Sequence, residues 1–219
     1  MSATTPIRVL LVDDHAVVRV GLRTFFDLQD DIEVVGEAGD GSEGVALARR
    51  LRPDVILMDL LMPNMDGLTA IARIKAEMPE TEIVAVTSFI EEEKVTAAPE
   101  AGASGYLLKD AEAEEVASAV RAAFAGEVHL DPAVARLLAQ RMRTRKNEPD
   151  PVEPLTDRER DVIRLLGQGM SNKDIGAALF ITERTARTYV SNILGKLGLA
   201  SRTQAALWAV EHKLADSGS

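Results

Sequence analysis

The chain has 219 residues, 46% hydrophobic and 27% charged, enough apolar material for a sizeable core and unlike a disordered sequence. It contains no cysteine, which excludes disulfide frameworks, thiolate catalysis and Cys-based zinc, and its three scattered histidines (His15, His129 and His212) argue against a His-cluster metal site. The net charge of −10 divides unevenly: residues 1–130 carry 11 Lys/Arg against 24 Asp/Glu and residues 131–219 carry 14 against 11, which predicts an acidic module joined to one able to meet a polyanion.

Short apolar runs recur at residues 8–12, 33–38, 55–58, 83–87 and 105–108. They are continuous rather than alternating, as strands buried on both faces of a parallel sheet are. Helical spacing fills most of the intervals. Val17, Val20, Phe25 and Leu28 mark residues 16–28, and Val45, Leu47 and Leu51 mark 42–51. Ile71, Ile74 and Met78 mark 68–78, and Val116, Val120 and Phe124 mark 112–124. Pro99 predicts a short, kinked or mobile fourth helix, because a proline in a helix interior costs ~3 kcal/mol or more. Five strands alternating with five helices predict a doubly wound α/β domain with a five-stranded parallel sheet, spanning residues 1–127. Residues 128–154 read as a partly helical linker: a basic stretch from Arg136 to Lys146 runs into Pro149, Pro151 and Pro154, which favour extended backbone. In residues 155–219 the strand signal vanishes, and residues 155–167, 171–179, 182–197 and 202–213 read as four short helices of a small all-α domain. No apolar run approaches the ~18 residues of a membrane helix. The first residues also lack the basic start of a signal peptide, so a cytoplasmic protein with no membrane partner is expected.

Chemistry-bearing residues gather where strands should end, the ligand-binding edge of open α/β sheets. Asp13 and Asp14 follow the first strand, Asp59 the third, Thr87 the fourth and Lys109 the fifth. Three converging carboxylates are costly unless a hard cation holds them, and Mg²⁺ fits an all-oxygen set. A hydroxyl and an ammonium beside such a site suit phosphoryl oxygens, and a carboxylate can itself accept a phosphoryl group as an acyl phosphate. Taken singly, each residue reads as a helix cap or a surface charge. Five of them gathered at four strand ends do not. Gly39, Gly41 and Gly44 form a GxGxxG pattern, but they follow the second strand, and the first strand–helix turn holds two carboxylates that would repel a pyrophosphate. They therefore read as turn and cap residues.

In the second module, Thr156 and Glu159 form a capping box, and a short helix, a tight turn and a longer helix outline a helix-turn-helix. On the longer helix Val190, Ile193, Leu194 and Leu197 make an inward stripe, while Arg184, Arg187, Thr188 and Ser191 share another face. Arginine reads guanine edges and hydroxyls contact bases or phosphates, so this face suits DNA. From composition alone, a solvated face on a helical bundle stands equally open.

The distributed set Asp13, Asp14, Asp59, Thr87 and Lys109, with Met65-Asp66-Gly67 after Pro63, resembles a response-regulator receiver domain. Residues 155–205 are similar to the LuxR-type helix-turn-helix of the NarL/FixJ response regulators. The resemblance implies Asp59 as phospho-acceptor, Asp13 and Asp14 as its partners in holding Mg²⁺, and Thr87, Tyr106 and Lys109 as the residues that sense the phosphoryl group. It implies Arg187, Thr188 and Ser191 facing bases, Thr182, Thr185 and Lys196 nearer phosphates, and Ala206, Leu207 and Val210 as a dimer contact, although that apolar face equally suits core packing. Ala186, Arg187 and Tyr189 stand where the family usually has Val, Lys and His, so promoter preference does not transfer. The implied protein is not an enzyme. It is a two-component transcription factor phosphorylated by a sensor histidine kinase and binding promoter DNA as a homodimer. Its receiver motifs resemble regulators of cell-envelope stress. The rival readings are a phosphorylation-independent regulator with a vestigial pocket, and an enzyme; an aspartyl-phosphate hydrolase would want a carboxylate where Leu61 stands.

Overall fold

The computed structural model describes residues 5–88, 92–144, 155–212 and 214–215, side chains of 92 and 139–144 excepted. Strands β1 (Ile7–Val12), β2 (Ile32–Ala38), β3 (Val55–Asp59), β4 (Glu82–Thr87), β5 (Gly105–Leu108) and β6 (His129–Leu130) form one parallel sheet in the order β2-β1-β3-β4-β5-β6. Helices α1 (Ala16–Phe26), α2 (Gly41–Leu51), α3 (Gly67–Glu77), α4 (Glu92–Ala101), α5 (Ala113–Ala125) and α6 (Pro132–Thr144) flank it. The period of two along each strand sends Leu10, Val12, Ile56, Met58, Ile83, Ala85 and Tyr106 to one core. It sends Val9, Leu11, Val55, Leu57, Val84, Val86 and Leu107 to the other. Both faces are covered, which is why the strands read as unbroken apolar runs.

The sheet departs from the predicted five strands. Gly105 and Tyr106 pair with His129 and Leu130, so a sixth strand lies within the stretch read as linker. Val134 and Leu138 of α6 are buried in the same core as Tyr106. Two residues are too few for a periodicity signal, and only the free edge of β5 reveals the strand. The linker prolines Pro149, Pro151 and Pro154 lie outside the described residues.

The α1 stripe also needs correction. Val17, Val20 and Leu28 are exposed (85, 61 and 79%), and the helix instead buries Phe26, with Leu22 and Phe25 packed beside it. Phe124, expected on the core face of α5, is 38% exposed. Pro99 sits inside the last turn of a ten-residue α4. Its nitrogen carries no proton, so one intrahelical bond is forgone. The helix ends two residues later, before Gly102 at φ +114°.

The remaining helices are α7 (Asp157–Gly167), α8 (Asn172–Leu179), α9 (Glu183–Leu197) and α10 (Arg202–Glu211). Each starts at a hydroxyl cap: Thr156, Ser171, Thr182 and Ser201 accept backbone N–H groups of Glu159, Asp174, Thr185 and Gln204. Val162, Ile163, Leu166, Ile175, Ala186, Val190, Ile193, Leu197, Ala205 and Ala209 form their common core.

Two glycines permit close helix–strand approaches at the ends of β1 and β3. Asp40 caps α2, and a Cβ on Gly44 would lie 2.9 Å from Val12 Cγ1, so the GxGxxG run does serve a turn and a close helix–strand approach. A Cβ on Gly67 would lie 2.1 Å from the Asp59 carbonyl oxygen, and the Gly67 N–H donates to Leu60 O at 3.2 Å. Gly67→Ala must therefore push α3 away from the end of β3. The expected cost is roughly 1–3 kcal/mol, read as a lower urea midpoint, and an unchanged midpoint would refute the packing argument.

Candidate functional site

Parallel neighbours β1, β3, β4 and β5 end along one edge, so Asp13, Asp59, Thr87 and Lys109 arrive together. Asp59 is 1% exposed at the last position of β3 and Asp13 is 6% exposed just after β1. The Lys109 ammonium bridges them, at 2.7 Å from Asp59 Oδ2 and 2.8 Å from Asp13 Oδ2. The other oxygen of Asp59 accepts the Leu61 N–H at 3.0 Å. Asp14 is more open and lies 2.6 Å from Nδ1 of His15, which also stands 3.2 Å from Asp13. Burial pushes the Asp59 carboxyl above the usual carboxylate range, with the Lys109 hydrogen bond and the Leu61 N–H pulling the other way. For Lys109 burial opposes the charge, but its hydrogen bonds to Asp13 and Asp59 prevail and raise its pKa. Thr87 is fully buried at the end of β4, and its carbonyl accepts the Lys109 N–H at 2.8 Å. Tyr106 is 1% exposed, one strand over, opposite Ala85.

Carboxylate oxygens of Asp13, Asp14 and Asp59 and a ring nitrogen of His15 all lie within 4.8 Å of one another. One lysine offsets one of three carboxylates, which leaves two negative charges, the complement of a divalent cation. The residues therefore fit Mg²⁺. His15 escaped the sequence reading, where a lone histidine after two aspartates carries no ligand spacing.

On α9, Arg184, Thr185, Thr188 and Ser191 are exposed, and the cap residue Thr182 shares a hydrogen bond with Thr185 Oγ1 at 2.8 Å. Two of the residues read for DNA are otherwise engaged. Lys196 lies 2.8 Å from the buried Glu159, holding that carboxyl below its usual range and tying α9 to α7. Arg187 stands 3.6 Å from Glu183 and donates to the Phe124 carbonyl of α5 at 3.4 Å. On α10, Ala206 and Leu207 are half-buried, Ala206 against the domain core, and Val210 is 49% exposed.

A seam between the two modules was not legible in the sequence. Ser201 Oγ donates to the Pro99 carbonyl at 3.0 Å, and Thr203 Oγ1 donates to the Ser104 carbonyl at 3.2 Å, both hydroxyls being buried. Between them Arg202 is buried, donating to Asn172 Oδ1 at 2.9 Å and to the Met170 carbonyl. Burial pushes its pKa down to about 10, against the favourable fields of Glu82 and Glu127 on the receiver side. Gly126 permits Asn172 to approach so closely that a Cβ there would lie 2.2 Å from its amide nitrogen.

Residues 9–121 match the response regulator receiver domain, and residues 153–209 match the bacterial regulatory proteins of the luxR family. The chain therefore belongs to the two-component response regulators that join a receiver to a LuxR-type DNA-binding domain. It is 50% identical over 208 residues to the transcriptional regulatory protein LiaR of Bacillus subtilis, covering 95% of this chain and 99% of that one. It is 44% identical to the response regulator protein VraR of Staphylococcus aureus, covering 95% and 98%. Among solved structures it resembles the response regulator ChrA of a heme-sensing two-component system (TM-score 0.53, 40% identity, 96% of this chain and 100% of that one). It also resembles RcsB in a structure of two RcsB dimers bound to two parallel DNAs (TM-score 0.57, 25% identity, 94% and 98%). Among the described residues no helix is long and apolar enough to cross a membrane.

The Glu159 pair yields a pH test. Its folded pKa lies below the unfolded value of about 4.3, so its stabilisation is complete above that value and is lost as pH falls through the folded pKa. Glu159→Gln should cost about 1 kcal/mol at pH 7 in urea unfolding, and the gap to the native chain should shrink at pH 3. A gap that stays constant would show that the ion pair is not its source.

Proposed function

We propose that this response regulator is switched by phosphorylation of Asp59 by a sensor histidine kinase, and that the switch governs its dimeric binding to promoter DNA in the cytoplasm. The observation that carries the reading is the Asp59 carboxylate itself, buried at a strand end with a lysine on one oxygen and a backbone N–H on the other. In the transfer, one Asp59 oxygen forms a bond to phosphorus while the bond from phosphorus to the donor breaks, giving an acyl phosphate. Lys109 is placed to neutralise the developing charge, and the receiver's share of the work is positioning and electrostatics. Asp13, Asp14 and Asp59 would hold Mg²⁺, which when bound offsets charge on the phosphoryl oxygens. Thr87 and Tyr106, on the neighbouring strands β4 and β5, would register the new group. The likeness of the receiver motifs to envelope-stress regulators extends the proposal to that class of signal.

The seam supports a coupling between the two modules. With Arg187 of α9 bonded to the Phe124 carbonyl of α5 and the start of α10 against α4 and β5, the receiver holds one of the side chains proposed for the major groove. Phosphorylation would release this contact, leaving Arg184, Arg187, Thr188 and Ser191 for bases, with Thr182 and Thr185 near phosphates. Lys196 would join them only by leaving Glu159. RcsB dimers on DNA support a paired mode of binding, with Ala206, Leu207 and Val210 the proposed contact.

Incubation with acetyl phosphate and Mg²⁺ should add one phosphoryl mass to the native chain and none to Asp59→Asn. No addition to the native chain, with a known receiver labelled in parallel, would sink the proposal. Thr203→Val, which removes one buried donor at the seam, should raise DNA affinity of the unphosphorylated chain about twofold to twelvefold, as one hydrogen bond of about 0.5–1.5 kcal/mol implies. Equal affinities by fluorescence anisotropy would detach the seam from DNA binding.

A further inference from the structure

The carboxylate pocket has a member outside the phosphoryl chemistry. His15 follows Asp13 and Asp14 directly, and its backbone N–H donates to Asp13 Oδ1 at 2.8 Å, which turns the ring back over the pocket. Its Nδ1 lies 2.6 Å from Asp14 Oδ1, 3.2 Å from Asp13 Oδ1 and 3.4 Å from Lys109 Nζ. Two ligands held about 2.1 Å from one ion in adjacent octahedral positions stand about 3 Å apart. The spacings of Nδ1 to the two carboxylates bracket that value. The ring is 62% exposed, so it is free to adjust to an ion without disturbing the core.

We propose that His15 is a nitrogen ligand of the cation pocket, and that through it this receiver prefers a divalent transition metal such as Mn²⁺ to Mg²⁺. The inference rests on the reading that the pocket holds a divalent cation at all. Its chemistry is that of donor softness. Carboxylate, carbonyl and water oxygens suit Mg²⁺, which dehydrates reluctantly and gains little from imidazole. An imidazole nitrogen added to carboxylates favours first-row transition metals, by a margin that grows from Mn²⁺ toward Cu²⁺. Asp13, Asp14 and Asp59 would then fix the ion at the acceptor, and His15 would decide which ion.

The test uses the untagged full chain, its His15→Phe variant and its Asp59→Asn variant, with Mn²⁺ as the probe. Free Mn²⁺ is counted by its paramagnetic resonance signal, Mg²⁺ affinity is taken from competition, and ¹⁴N coupling to bound Mn²⁺ is read by electron spin-echo modulation. The expected result is nitrogen modulation in the native chain, lost in His15→Phe, with Mn²⁺ affinity falling at least tenfold and Mg²⁺ affinity changing less than twofold. Asp59→Asn should weaken both ions. Mn²⁺ bound without nitrogen modulation, or an equal loss for both ions in His15→Phe, would overturn the role of His15 while leaving the cation pocket standing. Failure of the native chain to bind either ion would overturn the pocket reading, and His15 with it.

Discussion

Everything in the receiver answers to one electrostatic problem: three carboxylates at the end of a parallel sheet, two of them buried. Parallel strands ending in register place Asp13 and Asp59 side by side whether or not their charges agree. Left alone, two buried carboxylates would push one another toward neutrality. Lys109, brought in from β5 across β4, bridges both at hydrogen-bond distance and pulls the Asp59 carboxyl back against the burial that raises it. The compensation is incomplete by design of the count alone, since one ammonium faces three carboxylates. That residual charge of two is the physical reason a divalent cation would suit the pocket.

The same edge reaches the second module through the backbone. Thr87 and Lys109 are joined by a main-chain hydrogen bond at the ends of β4 and β5. The opposite end of β5 begins next to Ser104, whose carbonyl takes the Thr203 hydroxyl. Ser104 also donates to Glu82 at the start of β4, and Glu82 is one of the acidic groups whose field reaches Arg202. Strands β4 and β5 thus have the carboxylate pocket at one end and the seam at the other. The two ends are joined by paired backbone rather than by side-chain proximity, the contiguous connection along which the proposed coupling would run.

Much of this was legible in the sequence, and the exceptions share a cause. The strand ends carrying Asp13, Asp59, Thr87 and Lys109 announce themselves because continuous apolar runs have sharp ends. The capping box at Thr156 and Glu159 is a local pattern read without tertiary knowledge, and it stands as expected. The failures are those where local periodicity was asked about neighbours. Helix α1 carries two apolar stripes, and nothing in their spacing says which meets the sheet. The structure chooses Leu22, Phe25 and Phe26, leaving Val17, Val20 and Leu28 outside. Strand β6 is too short to have a period. Lys196 and Arg187 look like polyanion ligands by charge, yet one is paired with Glu159 and the other bonded to Phe124. Arg202 is buried, within reach of the fields of Glu82 and Glu127 of the receiver, and nothing in its local sequence signals that.

The composition of the seam bears on how such a regulator could be released. Three cross-module bonds among the described residues, Ser201 to Pro99, Thr203 to Ser104 and Arg187 to Phe124, end on backbone carbonyls. Hydroxyl-to-carbonyl bonds contribute about 0.5–1.5 kcal/mol each, and a bond from a charged donor about 1.5–3 kcal/mol. Together they amount to a few kcal/mol, the range in which a two-state equilibrium remains reversible by a ligand that favours one side. Arg202 fits the same logic. Its charge is satisfied by Asn172 and Met170 within its own domain, with Glu82 and Glu127 acting only through their fields, so opening the seam exposes no orphaned cation. Under the proposed switch, the surface that separates is one whose polar groups are individually weakly committed and collectively sufficient.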